Sequence, residues 1–268
     1  SGDHPNLHSF PTRRSSDLWK AVDPVATYSA QLIDAGIISK ADYEALVARV
    51  AARNARAAQI AAASADPDPS DVLKYLYCDK RPEPVPAQFA SVKLNAPAPE
   101  IKASSDGAMS YKDALKAALI EEMQRDGRVI IFGEDVADYG GAFKLSKGLL
   151  ETFGRDRVFN TPISEAAICG AGVGAAMAGL RPVVELMYMD FALMASDQIA
   201  NQASKWHYMS GAQTTVPVVY RASVGGGKGY GGQHSQSLET MFAHIPGMIV
   251  AYPSNPADAK GLLKTAIR

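Results

Sequence analysis

The chain of 268 residues is 47% hydrophobic and 21% charged, an ordinary globular composition with enough apolar material for a sizeable core. Its 27 basic and 28 acidic residues leave a formal net charge of −1, which argues against a nucleic-acid interface or an electrostatic membrane anchor. No apolar run reaches the roughly 20 residues that a membrane-spanning helix needs. Cys78 and Cys169 match no metal or redox spacing, which predicts reduced thiols and a cytoplasmic location.

The N-terminal stretch lacks the apolar core segment of a signal peptide. Its run His8–Leu18 reads like the translation of a sequencing-adapter oligonucleotide. We therefore predict that residues 1–18 are a non-native tail, and a disordered basic tail is the alternative.

Residues 19–86 are predicted to be mostly helical. Asp23 can cap a first helix that carries proline in its first turn, and a capping sequence beginning at Ser39 can start a second, Ala- and Arg-rich helix. Residues 87–109 are predicted to be an extended linker, because prolines stand there among small and polar residues.

From residue 110 onward, apolar runs alternate with helical patterns, which predicts βαβ units and a parallel, doubly wound α/β sheet. The predicted strands are Val129–Phe132, Val158–Asn160, Val183–Met187, Val216–Tyr220 and Met248–Ala251. Ligands bind outside the carboxyl ends of the strands in such sheets, so functional side chains are expected directly after the strands. The sequence stops inside a helical pattern, and we expect the domain over residues 110–268 to be cut short there.

The segment Asn160–Glu165 leads from a short strand into a helix. Ser164 is a suitable N-cap, which would place Glu165 in the first helical turn. Because the helix dipole favours acids there, this position alone is explained by structure more readily than by catalysis. The helical pattern that follows contains Gly170, Gly172, Gly174 and Gly179. Each glycine costs about 1 kcal/mol against alanine in a helix, so we expect close packing against another helix, such as one across a subunit interface.

Two further segments after predicted strands could carry chemistry. Tyr188 and Phe191 could flank a planar ligand, although core packing explains either residue equally well. The glycine-rich stretch 225–232 lacks the spacing of a phosphate-binding P-loop and could be a flexible lid. Within it, Lys228 could attract an anionic substrate or simply solubilise the loop. His234 follows the loop, at a position suited to a general acid or base.

Six motifs occur in order along this region, at Gly133–Val136, Thr161–Glu165, Arg181–Glu185, Asp197–Ile199, His234–Ser237 and Asp258–Leu263. Together they resemble the β-type subunit of the decarboxylating component of 2-oxo acid dehydrogenase complexes, a family that includes pyruvate, branched-chain and acetoin dehydrogenases. The resemblance covers roughly residues 108–268 and implies a transketolase-like pyrimidine-binding domain that uses thiamine diphosphate. The segment 19–86 resembles the C-terminal tail of the α-type subunit, which implies an α–β fusion cut at both ends.

The resemblance also implies a role for each candidate residue. Glu165 would be the catalytic carboxylate that hydrogen-bonds the aminopyrimidine ring of thiamine diphosphate, with Glu134 as a second carboxylate near it. Tyr188 and Phe191 would line the pyrimidine ring. His234 would act at the catalytic centre, facing the substrate or the incoming lipoyl group.

The implied activity is decarboxylation of a 2-oxo acid with acyl transfer to the lipoyl domain of a dihydrolipoyl acyltransferase. The implied enzyme is an oxidoreductase that forms a homo-oligomer through the glycine-rich helix. No Gly-Asp-Gly motif occurs, so the Mg²⁺ and diphosphate ligands are expected in a missing α-type part, and the fragment alone is expected to be inactive. Transketolase-type carbon–carbon transfer and a non-catalytic subunit-interaction module are the alternatives. The sequence leaves open whether the substrate is pyruvate or a branched-chain 2-oxo acid.

Overall fold

The computed structural model describes residue 20 and residues 22–78, 84–101, 105, 107–227 and 229–268. The chain divides into two compact units, Ser1–Pro69 and Ser70–Arg268. The predicted tail over residues 1–18 lies outside the described residues. Within the described ranges, none of the helices combines the length and the apolarity that crossing a bilayer requires.

The first unit contains the helices α1 (Pro24–Asp34) and α2 (Lys40–Ala63). As predicted, Asp23 caps α1, and its carboxylate accepts a backbone N–H of the first turn at 2.8 Å. The predicted capping box is present at the start of α2, where the Ser39 hydroxyl accepts the backbone N–H of Asp42 at 3.1 Å. Helix α2 buries none of its side chains, so its caps are the most specific features of its sequence.

The second unit is built on a parallel sheet. Its strands are β1 (Val129–Gly133), β2 (Val158–Asn160), β3 (Arg181–Tyr188) and β4 (Val219–Ser223), in the order β2-β1-β3-β4. All three neighbouring pairs are parallel, which confirms the predicted sheet, although β4 lies slightly further along the chain than the predicted run Val216–Tyr220. The four carboxyl ends therefore lie at one edge of the sheet, which we call the carboxyl edge.

Helices cover both faces of this sheet, which confirms the doubly wound architecture. Ile131 of β1 contributes to a core with Leu119 and Ile267 on one face, while Val184 of β3 contributes to a second core with Ile168 on the other. The helices are α3 (Ala87–Ala90), α4 (Tyr111–Arg125), α5 (Leu149–Phe153), α6 (Glu165–Met177), α7 (Trp206–Met209), α8 (Glu239–Ala243) and α9 (Pro256–Ile267). Shorter turns are the 3₁₀-helical Pro69–Leu73 and Met189–Ala195 and the π-helical Gln198–Ala203.

Two predicted elements of this unit are wrong. The apolar run Met248–Ala251 forms no strand in the described part of the chain, and Ile249 is 82% exposed because nothing in that part packs over it. The predicted helix from Met194 to Met209 is broken into short turns. The backbone N–H of Ser204 donates to the carbonyl of Ile199, five residues earlier, at 3.2 Å, which is the spacing of a π-helical turn.

The glycines of α6 face different surroundings. A Cβ atom on Gly172 would lie 2.6 Å from Cγ2 of Val184 on β3, so this glycine lets the helix approach the sheet. A Cβ atom on Gly174 would meet no described atom within 4 Å. The close packing is directed toward the sheet at Gly172, whereas at Gly170 a Cβ atom would lie 2.9 Å from Oε1 of Gln198, so the predicted packing against another helical segment is present there.

We predict that Gly172→Ala lowers the free energy of unfolding and that Gly174→Ala does not. The new methyl group at position 172 would overlap Val184 and cost about 1–3 kcal/mol in strain, which is only partly offset by the ~1 kcal/mol that alanine brings to a helix. At position 174 a new methyl group meets no described atom, so only the ~1 kcal/mol that alanine brings to a helix applies. Urea denaturation followed by circular dichroism measures both changes, and equal stabilities of the two variants would contradict this packing.

Candidate functional site

Each of the four strands leads into one of the residues singled out from the sequence. Glu134 directly follows β1, and Tyr188 is the last residue of β3. Glu165 follows β2 after the turn at residues 161–164 and begins α6, while His234 lies in the loop after β4. The carboxyl edge therefore brings together side chains that are separated by up to a hundred positions in the sequence.

The ends of β1 and β2 are joined by the backbone. Gly133 has a φ of 152°, and a Cβ atom there would overlap the carbonyl oxygen of Glu185 on β3, so glycine is required for this close approach. The carbonyl of Gly133 accepts the backbone N–H of Thr161 at 3.0 Å. This hydrogen bond ties the residue before Glu134 to the turn that precedes Glu165.

The carboxyl groups of Glu134 and Glu165 interact across this junction. Glu134 is 8% exposed. Burial raises the pKa of the Glu134 carboxyl, and the negative charges of Glu165 and Asp135 raise it further. Glu134 therefore retains its proton to a higher pH than an ordinary glutamate does, which gives the carboxyl edge a pair of acids in unequal environments.

Tyr188 is the centre of an aromatic cluster at the same edge. Its ring centroid lies 5.1 Å from that of His234 and 6.0 Å from that of Phe191. The rings of Phe191 and His234 lie 5.1 Å apart. All three contacts are edge-to-face, the arrangement that aromatic quadrupoles favour. The structure thus brings together three residues that the sequence could only mark one by one.

Sequence reasoning missed three members of this site. Phe143 and Tyr230 complete the aromatic cluster, with ring centroids 5.7 Å and 6.2 Å from that of Tyr188. Asp190 is buried beneath it and accepts hydrogen bonds from Gln236. A signal was present in two cases, since Tyr230 is the one aromatic residue of a glycine-rich loop and Asp190 is an acid directly after a buried strand.

One detail of the site differs from the sequence-based expectations. The hydroxyl of Ser164 donates to the carbonyl of Pro162 at 3.2 Å instead of accepting a helix N–H, so α6 begins without the predicted side-chain cap. Glu165 nevertheless occupies the first helical turn, as predicted. Lys228, the lysine of the glycine-rich loop, lies outside the described residues.

The arrangement fits a planar, nitrogen-containing aromatic ring. Tyr188 and Phe191 offer ring surfaces, and Glu165 and Glu134 offer carboxyl oxygens that can exchange a proton with a ring nitrogen. The hydroxyl oxygen of Thr161, four residues before Glu165, is buried and has no hydrogen-bond partner among the described residues. A polar ligand would supply that partner, because buried hydroxyl groups in folded proteins are nearly always hydrogen-bonded.

Comparison with known families agrees with this geometry. The sequence profile of the family described as "Transketolase, pyrimidine binding domain" matches residues 107–268, more than half of the chain. The chain belongs to this family. The four strands, both cores and all the candidate residues lie inside the matched range.

Curated relatives of this pyrimidine-binding domain are β subunits of 2-oxo acid dehydrogenases. The chain is 51% identical over 160 residues to "Pyruvate dehydrogenase E1 component subunit beta-1, mitochondrial" of Oryza sativa subsp. japonica, covering 60% of this chain and 43% of the relative. It is 50% identical over 160 residues to "2-oxoisovalerate dehydrogenase subunit beta" of Bacillus subtilis (strain 168), covering 60% and 49%. A third relative, "Pyruvate dehydrogenase E1 component subunit beta" of Rhizobium meliloti (strain 1021), is 49% identical over 171 residues, covering 63% and 37%.

These matches confirm the resemblance to β-type subunits. The chain spans less than half the length of each of the three relatives.

The paired acids give a prediction that needs no cofactor. Glu165→Gln should lower the pKa of Glu134, because it removes a negative charge that faces this carboxyl. Asp135→Asn should lower the same pKa by less, because the charge of Asp135 contributes less to it than that of Glu165. Carboxyl-resolved NMR titration measures both changes. An unchanged pKa of Glu134 in Glu165→Gln would show that the two acids do not face each other.

The same pair has a consequence for stability. Because the folded-state pKa of Glu134 lies above its unfolded value, the folded state binds the proton more tightly, and stability declines as the pH rises from the unfolded to the folded pKa. Glu134→Gln should remove this decline, which denaturation at a series of pH values would detect.

Proposed function

We propose that this chain supplies the pyrimidine-binding part of a thiamine diphosphate-dependent decarboxylating component of a 2-oxo acid dehydrogenase complex. The observation that supports the proposal is that the coupled acids Glu134 and Glu165 follow β1 and β2, while the aromatic cluster around Tyr188 follows β3 and β4, at the same edge of a pyrimidine-binding domain. Relatives named as pyruvate and 2-oxoisovalerate dehydrogenase subunits support a 2-oxo acid as the substrate class.

The proposed role of Glu165 is to hold a proton at the ring nitrogen of the aminopyrimidine. It begins α6, and the nearby Glu134 is buried, with a carboxyl pKa raised by burial and by the charge of Glu165. Tyr188 and Phe191 orient the pyrimidine ring and exclude water from it. When bound, thiamine diphosphate supplies the electron sink for the loss of carbon dioxide.

The proposed role of His234 concerns the substrate and the acyl acceptor. Its ring contacts Tyr188 and Phe191, while Tyr230 in the same loop is 52% exposed. The half-buried His234 is proposed to face the side of this loop from which a 2-oxo acid and a lipoyl domain of a dihydrolipoyl acyltransferase would approach. A titratable side chain in this position can exchange a proton during acyl transfer to the lipoyl disulfide.

Other parts of the active site are proposed to come from outside this chain. Ligands for Mg²⁺ and for the diphosphate are expected on an α-type part, of which residues 19–86 would be the tail and residues 87–109 the linker. We also propose a homo-oligomer through the exposed face of α6, where Ala167, Ala171 and Gly174 leave room for another helix. A cytoplasmic location and an inactive isolated fragment complete this proposal.

The two alternatives predict different reactivities. A transketolase-type enzyme would require sugar phosphates as substrates and would not use a lipoyl acceptor. A subunit-interaction module would show neither activity, and its glutamates would be ordinary first-turn and loop acids. Thiamine-dependent release of carbon dioxide from pyruvate or branched-chain 2-oxo acids, with a lipoyl domain as acceptor, separates these functions.

We predict that Glu165→Gln, in the enzyme assembled with its remaining parts, lowers the kcat of carbon dioxide release by about 10²–10⁴-fold, the range typical of general acid–base groups. Glutamine keeps the size of the side chain but cannot take up or release the proton. Glu151→Gln is the matched control, because Glu151 is an exposed glutamate of α5. Decarboxylation at the wild-type rate by a correctly folded Glu165→Gln enzyme would exclude the proposed role.

A further inference from the structure

Asp190 is an acid inside the candidate site to which the proposed chemistry assigns no role. It lies directly after β3, between Tyr188 and Phe191 in the sequence, and is 6% exposed. Its Oδ1 atom accepts hydrogen bonds from the side-chain Nε2 of Gln236 at 2.9 Å and from the backbone N–H of Gln236 at 3.3 Å. One carboxylate oxygen therefore accepts from both the side-chain amide and the backbone N–H of Gln236, in the loop after β4.

Gln236 also closes that loop. Its carbonyl oxygen accepts the backbone N–H of Gly225 at 3.2 Å, and Gly225 is where the glycine-rich stretch begins. The neighbouring Ser235 lies close to Gly226, because a Cβ atom built on Gly226 would be 3.6 Å from the carbonyl oxygen of Ser235. The two ends of the loop thus meet at Gln236, and the hydrogen bonds from Gln236 to Asp190 connect them to the segment that follows β3.

His234 lies two residues before Gln236, at the end of the loop that is hydrogen-bonded to Asp190. Its ring centroid lies 5.1 Å from those of both Tyr188 and Phe191. Tyr188 ends β3, and Phe191 follows Asp190 in the 3₁₀-helical turn. The segment after β3 therefore contacts the loop at two points: Asp190 accepts hydrogen bonds from Gln236, and the rings of Tyr188 and Phe191 pack against the imidazole of His234. Because the glycines within the loop restrict its backbone little, the position of the loop depends on the contacts made at its two ends.

The state of the Asp190 carboxyl suits this task. Burial acts to raise its pKa, but the hydrogen bonds from Gln236, together with those from the backbone N–H groups of Asp190 and Ser235, outweigh burial and hold the pKa below its ordinary value. Its second oxygen, Oδ2, is buried and has no hydrogen-bond partner within the described ranges.

We propose that Asp190 is the positioning residue for His234: by holding Gln236 it fixes the base of the glycine-rich loop and keeps the imidazole against Tyr188 and Phe191. Asp190 itself does not touch the reacting atoms. The structural part of this inference stands on the chain alone, and only its kinetic consequence rests on the proposed function.

The test compares three variants of the chain by NMR. Asp190→Ala removes the acceptor, and Asp190→Asn keeps an oxygen at Oδ1. Asp197→Asn is the control, because the exposed Asp197, among the described residues, accepts side-chain hydrogen bonds only from Gln198, Asn201 and Gln202 of its own helical segment. The readouts are the ring-proton shifts of His234, which the faces and edges of Tyr188 and Phe191 displace from random-coil values, and the contacts between these rings seen as nuclear Overhauser effects.

We expect Asp190→Ala to move the His234 ring signals to random-coil positions and to abolish its contacts with both aromatic rings. Asp190→Asn should retain most of them, and Asp197→Asn should match the wild type. Unchanged His234 signals in a folded Asp190→Ala variant would overturn the inference. If Asp190→Ala does not fold, Gln236→Met tests the same contact from the loop, since it removes the 2.9 Å bond and leaves the 3.3 Å backbone bond. Wild-type ring contacts in Gln236→Met would then overturn it.

In the assembled enzyme, Asp190→Ala should lower the kcat of acyl transfer to a free lipoyl domain by about a hundredfold, the effect of displacing a reacting group by ~1 Å, with little change in the KM for the 2-oxo acid. Asp190→Asn should rescue most of this loss. A displaced His234 ring together with an unchanged acyl-transfer rate would refute the kinetic role of His234 and leave the positioning role of Asp190 intact.

Discussion

The parallel pairing of four strands is the constraint on which the candidate site depends. In the order β2-β1-β3-β4, every strand ends at the same edge, so residues that follow different strands meet without any of them being close in sequence. Glu134, Glu165, Tyr188 and His234 each take their position from a different strand end. An antiparallel neighbour would have placed one of them at the opposite edge, about a strand length away.

Close backbone approach makes this edge compact. Gly133 allows β1 to end against the carbonyl of Glu185, and Gly172 allows α6 to lie on β3. The same sheet tolerates a buried ion pair on the neighbouring strand, where Arg221 of β4 donates to the carboxylate of Glu185, and burial lowers the pKa of that guanidinium to about 10. At the same edge, the buried Thr161 hydroxyl and the Oδ2 atom of Asp190 have no hydrogen-bond partner among the described residues.

Local signals explain what could be predicted from the sequence. The apolar runs that became β1, β2 and β3, the caps at Asp23 and Ser39, and the first-turn place of Glu165 all depend on residues within a few positions of one another. The failures are of two kinds. Met248–Ala251 has the composition of a buried strand, but only part of it is covered: Met248 packs against the second core, while Ile249 is 82% exposed.

The other failures come from contacts between distant segments, which no local pattern contains. The hydrogen bonds between Asp190 and Gln236 join residues 46 positions apart, and the aromatic cluster recruits Phe143 and Tyr230 from two separate loops. The hydroxyl of Ser164 could cap α6, yet it bonds to Pro162 because its backbone φ of −171° and ψ of 69° are set by the turn after β2. Family resemblance, rather than periodicity, is the basis on which Glu165 and His234 were predicted to be functional residues.

The most direct test of this account is whether the carboxyl edge behaves as one binding site. Thiamine added at millimolar concentration to the isotope-labelled chain should shift the NMR signals of Glu134, Glu165, Tyr188 and His234 together, with a single dissociation constant. The Glu165→Gln substitution should increase that constant. Thiamine-induced shifts that cluster away from this edge, or different dissociation constants for residues after different strands, would contradict the account.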